Sequence, residues 1–278
     1  MTVAVTGSTG ALGGMLARRL AASDLSQRLI VRTPGKAPEL PGATVVQAEY
    51  SDADAAERAL AGVDTLFMVS ASESEDRRGQ HRTFVDAAAR AGVSHIVYTS
   101  FVAAAADSTF TLGRDHFATE QAIRETGLKF TILRDNFYLD FLPDLVGEDG
   151  VIRGPAGDGR ASVVARADIA RVAAEVLLHP GEHEDAVYDM TGPEALSLAE
   201  VARILSEHGG QPVAFHDESL EEAYASRAKW GAPDWQVEAW VTTYTAFAAG
   251  ELARVSDDIE RLTGVPPMSL ETYLTRPR

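Results

Sequence analysis

The sequence predicts an α/β protein built on a doubly wound parallel sheet, and two observations carry that prediction. Six short apolar runs alternate with segments of helical period, and a glycine-rich turn joins the first run to the first helix. The runs are Val3–Thr6, Arg28–Val31, Thr44–Gln47, Thr65–Val69, His95–Thr99 and Lys129–Leu133. They are dense in Val, Ile, Leu and Phe without polar alternation, as strands buried on both faces are. Between them, Leu12–Ala22, Ala53–Leu60, Gln80–Ala91 and Arg114–Thr126 read as amphipathic helices. Gly62, Gly92 and Gly127 each follow a helix and precede a strand, where a left-handed C-terminal cap belongs. Strand and helix in strict alternation call for parallel strands joined by right-handed crossovers.

The pattern changes after Asp149. Gly150 to Gly159 is glycine-rich, Asp168 reads as the N-cap of a helix over Ile169–Leu178, and Val187–Met190 reads as a strand. Ser197 and Glu200 form an S-x-x-E capping box opening a helix over Leu198–His208. From Ser219 the chain reads as mostly helical, with an aromatic stripe at Trp240, Tyr244 and Phe247 whose spacing suits core packing. The expected organisation is a nucleotide domain over 1–149 and a small, mostly helical substrate domain over 150–278. Part of 150–190 is expected to return to the first sheet.

Composition excludes several classes. With 25 basic against 41 acidic residues the net charge is -16, which repels nucleic acid and anionic membranes. There is no cysteine, hence no disulfide, thiolate metal site or thiol nucleophile. No histidine or carboxylate spacing suggests a metal site. The chain shows no secretory segment and no apolar run long enough to span a bilayer, so the cytoplasm is the expected compartment.

Val3-Ala4-Val5-Thr6 runs into Gly7-Ser8-Thr9-Gly10-Ala11-Leu12-Gly13, and a helix follows. A dinucleotide pyrophosphate needs this arrangement: a sharp turn, a backbone free of side chains where the phosphates approach, and a helix N-terminus aimed at them. Gly7, Thr9, Gly10, Ala11, Leu12 and Gly13 are the expected cradle. At the end of the second strand an NAD site usually carries a carboxylate for the ribose hydroxyls. Here Arg32 stands nineteen residues past Gly13, with Lys36 beside it. Two cations there, in so acidic a chain, suit a 2′-phosphate and predict NADPH over NADH. No separate flavin signal is present.

The Gly7–Gly13 loop, Val31-Arg32-Thr33-Pro34 and Tyr98-Thr99-Ser100 resemble the NmrA-like atypical short-chain dehydrogenase/reductases. So do Leu133-Arg134-Asp135-Asn136-Phe137-Tyr138, Ala156-Gly157-Asp158-Gly159-Arg160 and Arg166-Ala167-Asp168-Ile169-Ala170. The likeness runs from residue 1 to about residue 215 and is nearest to the quinone oxidoreductase type 2 and triphenylmethane reductase group. It implies a Rossmann domain binding NADPH, with a C-terminal domain closing a substrate cleft. It also implies that Ser70, Ala71 and Ser72 lie near the ribose and nicotinamide, and that Asn136 and Phe137 face the nicotinamide side. Ser70 and Ser72 suit a helix cap equally well.

One departure bears on chemistry. Most short-chain dehydrogenases carry Tyr-x-x-x-Lys, yet none of the seven tyrosines here has a lysine four residues on. In the helix after the fifth strand, His116 and Glu120 share a face at i and i+4. A neighbouring carboxylate would favour the imidazolium and make His116 a proton donor; the same pair also suits an ordinary surface contact. Tyr138, Phe141, Trp230 and Trp235 are candidate walls for a planar ligand, with core packing as the alternative.

Two functions follow. One is an NADPH-dependent reductase of an electron-poor planar acceptor such as a quinone, a small molecule that takes hydride without the dyad. The other is a regulator that reads the NADP state and binds a protein partner. An epimerase needs the missing dyad and is disfavoured. Nothing selects between a monomer and a homodimer.

Overall fold

A computed structural model of the chain describes residues 1–23 and 25–276. Its elements begin with β1 (Thr2–Thr6), α1 (Ala11–Leu20), β2 (Ser26–Val31), β3 (Ala43–Gln47), α2 (Ala53–Leu60) and β4 (Thr65–Met68). Next come α3 (Arg77–Arg90), β5 (His95–Phe101), α4 (Thr111–Glu125) and β6 (Lys129–Asp135). Beyond these lie β7 (Val151–Gly154), β8 (Arg160–Ala161), α5 (Arg166–Leu178), β9 (Ala186–Met190), β10 (Leu196–Ser197), α6 (Leu198–Gly209) and β11 (Ala214–Asp217). Four helices follow: α7 (Leu220–Arg227), α8 (Asp234–Ala248), α9 (Asp258–Thr263) and α10 (Leu270–Leu274).

A seven-stranded sheet runs in the order β3-β2-β1-β4-β5-β6-β9. The β1–β2, β2–β3, β1–β4 and β4–β5 ladders are parallel. The order reverses between β1 and β4, and a doubly wound sheet binds its ligand outside the strand ends at that point. Two compact units divide the described chain: 1–100, 115–134 and 166–188 form the sheet unit, and 101–114, 135–165 and 189 onward form the second. The sheet unit is thus discontinuous and takes in 166–188, and the last two residues of the 150–278 expectation lie outside the described residues.

The sheet unit buries Ala4, Ile30, Leu66, Met68, Phe84, Ile96, Tyr98 and Ile132 in one cluster. Gly62, Gly92 and Gly127 adopt φ of +74°, +78° and +71°, the left-handed caps that end α2, α3 and α4. One strand departs from the expectation of two covered faces. β3 lies at the sheet edge, and Thr44, Val45 and Gln47 are exposed, because nothing pairs beyond it. Asp168 also differs: α5 begins at Arg166, so Asp168 sits inside the first turn rather than at the cap. There it is buried, pairs with Arg171 at 3.1 Å, and meets the positive end of the helix.

The second unit packs Phe101, Leu139, Leu142, Ile152, Leu198, Val201, Leu205 and Phe247 around α6 and α8. The Ser197–Glu200 capping box forms in full, and Ser219 with Glu222 makes another at α7. Two small sheets, parallel β7–β11 and antiparallel β8–β10, interrupt what the sequence presents as mostly helical. Their strands have only two to four residues, too few for an apolar alternation to register. No described helix is long and apolar enough to cross a membrane.

Candidate functional site

The glycine loop leaves β1 at Thr6 and enters α1 at Ala11, at the switch point of the sheet. Gly7 has φ +63°, and a Cβ there would come within 3.0 Å of the Val69 side chain, so this turn and the segment after β4 lie against each other. A Cβ on Gly13 would lie 2.4 Å from the Gly7 carbonyl oxygen, inside any allowed contact. Gly10 caps α1 with no side-chain hydrogen bond, leaving the first N–H groups of the helix for a ligand. Ser8 is buried and its Oγ has no hydrogen-bond partner among the described residues. Thr9 and Ala11 are exposed, whereas Leu12 anchors the helix in the core. A bare, close-packed loop with an orphaned hydroxyl fits a dinucleotide pyrophosphate.

Arg32 and Lys36 both stand exposed just past β2, where a short turn over Pro34–Lys36 follows. Neither forms an ion pair among the described residues. The Arg32 carbonyl accepts from Gln47 Nε2 at 3.0 Å, tying that corner to β3.

Beyond β4, Ser70 and Ala71 are half-buried and Ser72 is exposed. The backbone here is held by side chains. Thr6 Oγ1 accepts from Val69 N at 2.9 Å, and Thr99 Oγ1 accepts from Ser70 N at 2.8 Å. His81 Nε2 accepts from Ala71 N at 2.8 Å, while Arg77 Nε donates to the Ala71 carbonyl at 2.9 Å.

His116 belongs to this buried layer. It is 7% exposed, with Arg77 Nη2 donating to its Nε2 at 3.2 Å and its Nδ1 2.9 Å from Tyr98 Oη. A guanidinium only donates, so Nε2 is the acceptor and Nδ1 carries the proton. Burial, then the Arg77 cation, then His81 hold its pKa well below the usual imidazole value. The expectation that Glu120 makes His116 a proton donor is therefore corrected. Glu120 is 1% exposed and its carboxylate is engaged by Arg134 at 2.9 and 2.8 Å, Arg124 at 3.1 Å and Ser100 at 2.6 Å. The i, i+4 spacing is right, but β5 and β6 supply closer partners for the carboxylate, and His116 stays a neutral imidazole whose one N–H faces Tyr98 rather than the imidazolium the expectation required.

In the second unit, Asn136 is buried. Its Nδ2 donates to Ser162 Oγ at 2.8 Å and the Leu252 carbonyl at 3.0 Å, while its Oδ1 accepts from Phe137 N at 2.7 Å. Both amide protons are thus used in holding the loop. Phe137 packs on Phe247, with ring centroids 5.6 Å apart. Tyr138 and Phe141 stand side by side at 5.7 Å, and Phe141 is 42% exposed. Tyr138 Oη donates to Asp135 Oδ2 at 2.8 Å. Trp235 is half-buried at the start of α8; Trp230 is 67% exposed, with the Lys229 ammonium over its ring. The structure thus pairs two of the four candidate walls. Among the described residues no group of three or more His, Asp or Glu could hold a metal ion.

The NmrA-like family model matches residues 1–272, nearly the whole chain. The chain belongs to the NmrA-like family. Among its NmrA-like relatives is quinone oxidoreductase 2 of Escherichia coli (strain K12), 34% identical over 275 residues and covering 96% of both chains. Another is the NAD(P)H azoreductase of Xenophilus azovorans, 33% identical over 276 residues, 98% of this chain and 96% of the relative. The solved structure of the E. coli NADPH-dependent quinone oxidoreductase with NADPH superposes with a TM-score of 0.90 over 99% of both chains. The Citrobacter sp. triphenylmethane reductase with NADP(H) reaches 0.86 at 35% identity over 98% of both. The negative transcriptional regulator NmrA, in complex with NAD, shares the fold alone, at 19% identity, a TM-score of 0.79, and 98% of this chain against 94% of that one.

Neither Arg77 nor His81 is among the candidate residues read from the sequence. Both lie on α3, whose amphipathic pattern shows which residues face inward but not which backbone atoms they meet. An arginine and a histidine on the apolar face, i and i+4, were the signal available.

Proposed function

We propose that this NmrA-like chain is an NAD(P)H-dependent reductase that passes hydride to electron-poor planar acceptors such as quinones, with NADPH preferred over NADH. The observation that carries this reading is the glycine loop, where Gly13 admits no Cβ and Ser8 Oγ is buried without a partner among the described residues. When bound, the reduced nicotinamide supplies the hydride. The Gly7–Gly13 backbone and the N-terminus of α1 hold the pyrophosphate, and Arg32 with Lys36 engages a 2′-phosphate. Ser70, Ala71 and Ser72 border the ribose, Phe137 backs the loop past β6, and Tyr138 with Phe141 offers a flat aromatic surface to a conjugated acceptor.

The missing Tyr-x-x-x-Lys dyad is compatible with such acceptors. A quinone or a dye carbocation takes hydride without prior protonation, so positioning and exclusion of competing water are the main tasks. The neutral, buried His116 is not the proton source, and solvent protonates the product. Two relatives named for quinone and azo reduction, quinone oxidoreductase 2 and the NAD(P)H azoreductase, support this choice of acceptor. The regulator reading has support from the fold alone.

The test is NADPH oxidation with a panel of quinones, azo dyes and cationic dyes, beside calorimetric binding of NADPH and NADH. Acceptor-dependent turnover with tighter NADPH binding is expected. Tight binding with no turnover on any acceptor would overturn the reductase and point to a regulator.

A further inference from the structure

We infer that Arg77 and His81 are positioning residues that set the Val69–Ala71 backbone in its ligand-binding form before any cofactor arrives; this rests on the reading of that segment as the ribose and nicotinamide border. Five side chains from separate parts of the sheet unit grip three consecutive residues. Thr6 and Thr99 take the N–H groups of Val69 and Ser70, and Tyr50 Oη donates to the Val69 carbonyl at 2.6 Å. Ala71 is held at both ends of its polar backbone, by His81 at N–H and by Arg77 at C=O. No ladder of a neighbouring strand does this, because the segment lies past the last paired residue of β4.

The side chains behind Ala71 are themselves fixed. His81 is fully buried, and because its Nε2 accepts from the amide its Nδ1 must carry the proton, which it donates to Thr119 Oγ1 at 2.7 Å. Thr119 in turn donates to the Asp115 carbonyl at 2.8 Å. Arg77, 4% exposed, points its Nε at Ala71 and its Nη2 at His116, and His116 is braced by Tyr98. Burial first, and Arg77 second, push the His81 pKa down to about 3, so the acceptor for Ala71 N–H stays available at neutral pH. A side-chain clamp of this kind removes the conformational freedom that a binding loop otherwise loses on meeting its ligand. Local affinity then depends on residues that never touch the cofactor.

Amide hydrogen exchange on the cofactor-free protein tests this without a variant. Val69, Ser70 and Ala71 should already be protected, and free exchange until NADPH is added would overturn the inference. His81→Leu removes the acceptor, whereas His81→Gln can return an oxygen near the Nε2 position. In His81→Leu, NADPH should bind on the order of tenfold more weakly, as expected for one buried hydrogen bond. The KM for NADPH should rise with kcat much less affected, the NADPH-to-NADH preference should be unchanged, and His81→Gln should recover most of the affinity. A folded His81→Leu protein with unchanged NADPH affinity would also refute the clamp. Failure of every acceptor to turn over would remove the reductase reading yet leave the exchange and binding results to decide this one.

Discussion

Replacing Asp135 by asparagine should raise stability in alkaline solution and flatten its dependence on pH. Asp135 ends β6 in the second unit and is 2% exposed; its Oδ2 accepts from Tyr138, and its Oδ1 has no partner among the described residues. Burial raises its pKa from 3.8 to about 8, with the Tyr138 hydroxyl pulling weakly the other way. Between those two values the folded chain holds a proton that the unfolded chain has lost. Stability is therefore full below about pH 4 and falls as pH rises, by about 1.4 kcal/mol per unit, until about pH 8. The span of about 4 units makes an upper bound of roughly 6 kcal/mol, and about 4 kcal/mol of it falls between about pH 5 and 8. Asparagine does not titrate, but its amide would inherit the unpartnered position at a cost of about 1–3 kcal/mol. The variant should match or trail the wild type near about pH 5 and exceed it by about 2 kcal/mol or more near about pH 8. Urea unfolding at several pH values reads this directly. Parallel stability profiles for the two proteins would refute the reasoning.

Gly13→Ala sets a methyl 2.4 Å from the Gly7 carbonyl oxygen, so the loop must shift; NADPH binding should weaken by more than about tenfold in calorimetry, with a stability loss of about 1–3 kcal/mol. Arg32→Ala should weaken NADPH by about 1.5–3 kcal/mol and NADH far less, and equal losses would sink the 2′-phosphate assignment. Glu120→Gln breaks a buried carboxylate bonded to Arg134, Arg124 and Ser100, and should lower unfolding free energy by about 3 kcal/mol. Despite burial, those hydrogen bonds hold its pKa below the usual value, so its contribution in the wild type should fade as pH falls through the acid range, a decline the glutamine variant should lack.

The sequence by itself determined what depends on a few neighbouring residues. The Gly7–Gly13 turn, the left-handed glycines ending three helices, the Ser197–Glu200 capping box and the succession of six strands along the chain all follow from local turn chemistry and apolar period. Tertiary structure decided what depends on distant partners and on water. The i, i+4 spacing put His116 near Glu120, but Ser100 and Arg134, brought by neighbouring strands, took the carboxylate, while Arg77 on α3 took the imidazole. β3 reads as apolar as its neighbours and becomes an exposed edge only because no strand follows it in space. β7 and β11 pair across some sixty residues, from Val151 to Ala214, and no local pattern announces that. The clamp on Ala71 is of the same kind: hydrogen-bond geometry and desolvation fix a side chain's role, and both are set by whatever the folded chain places beside it.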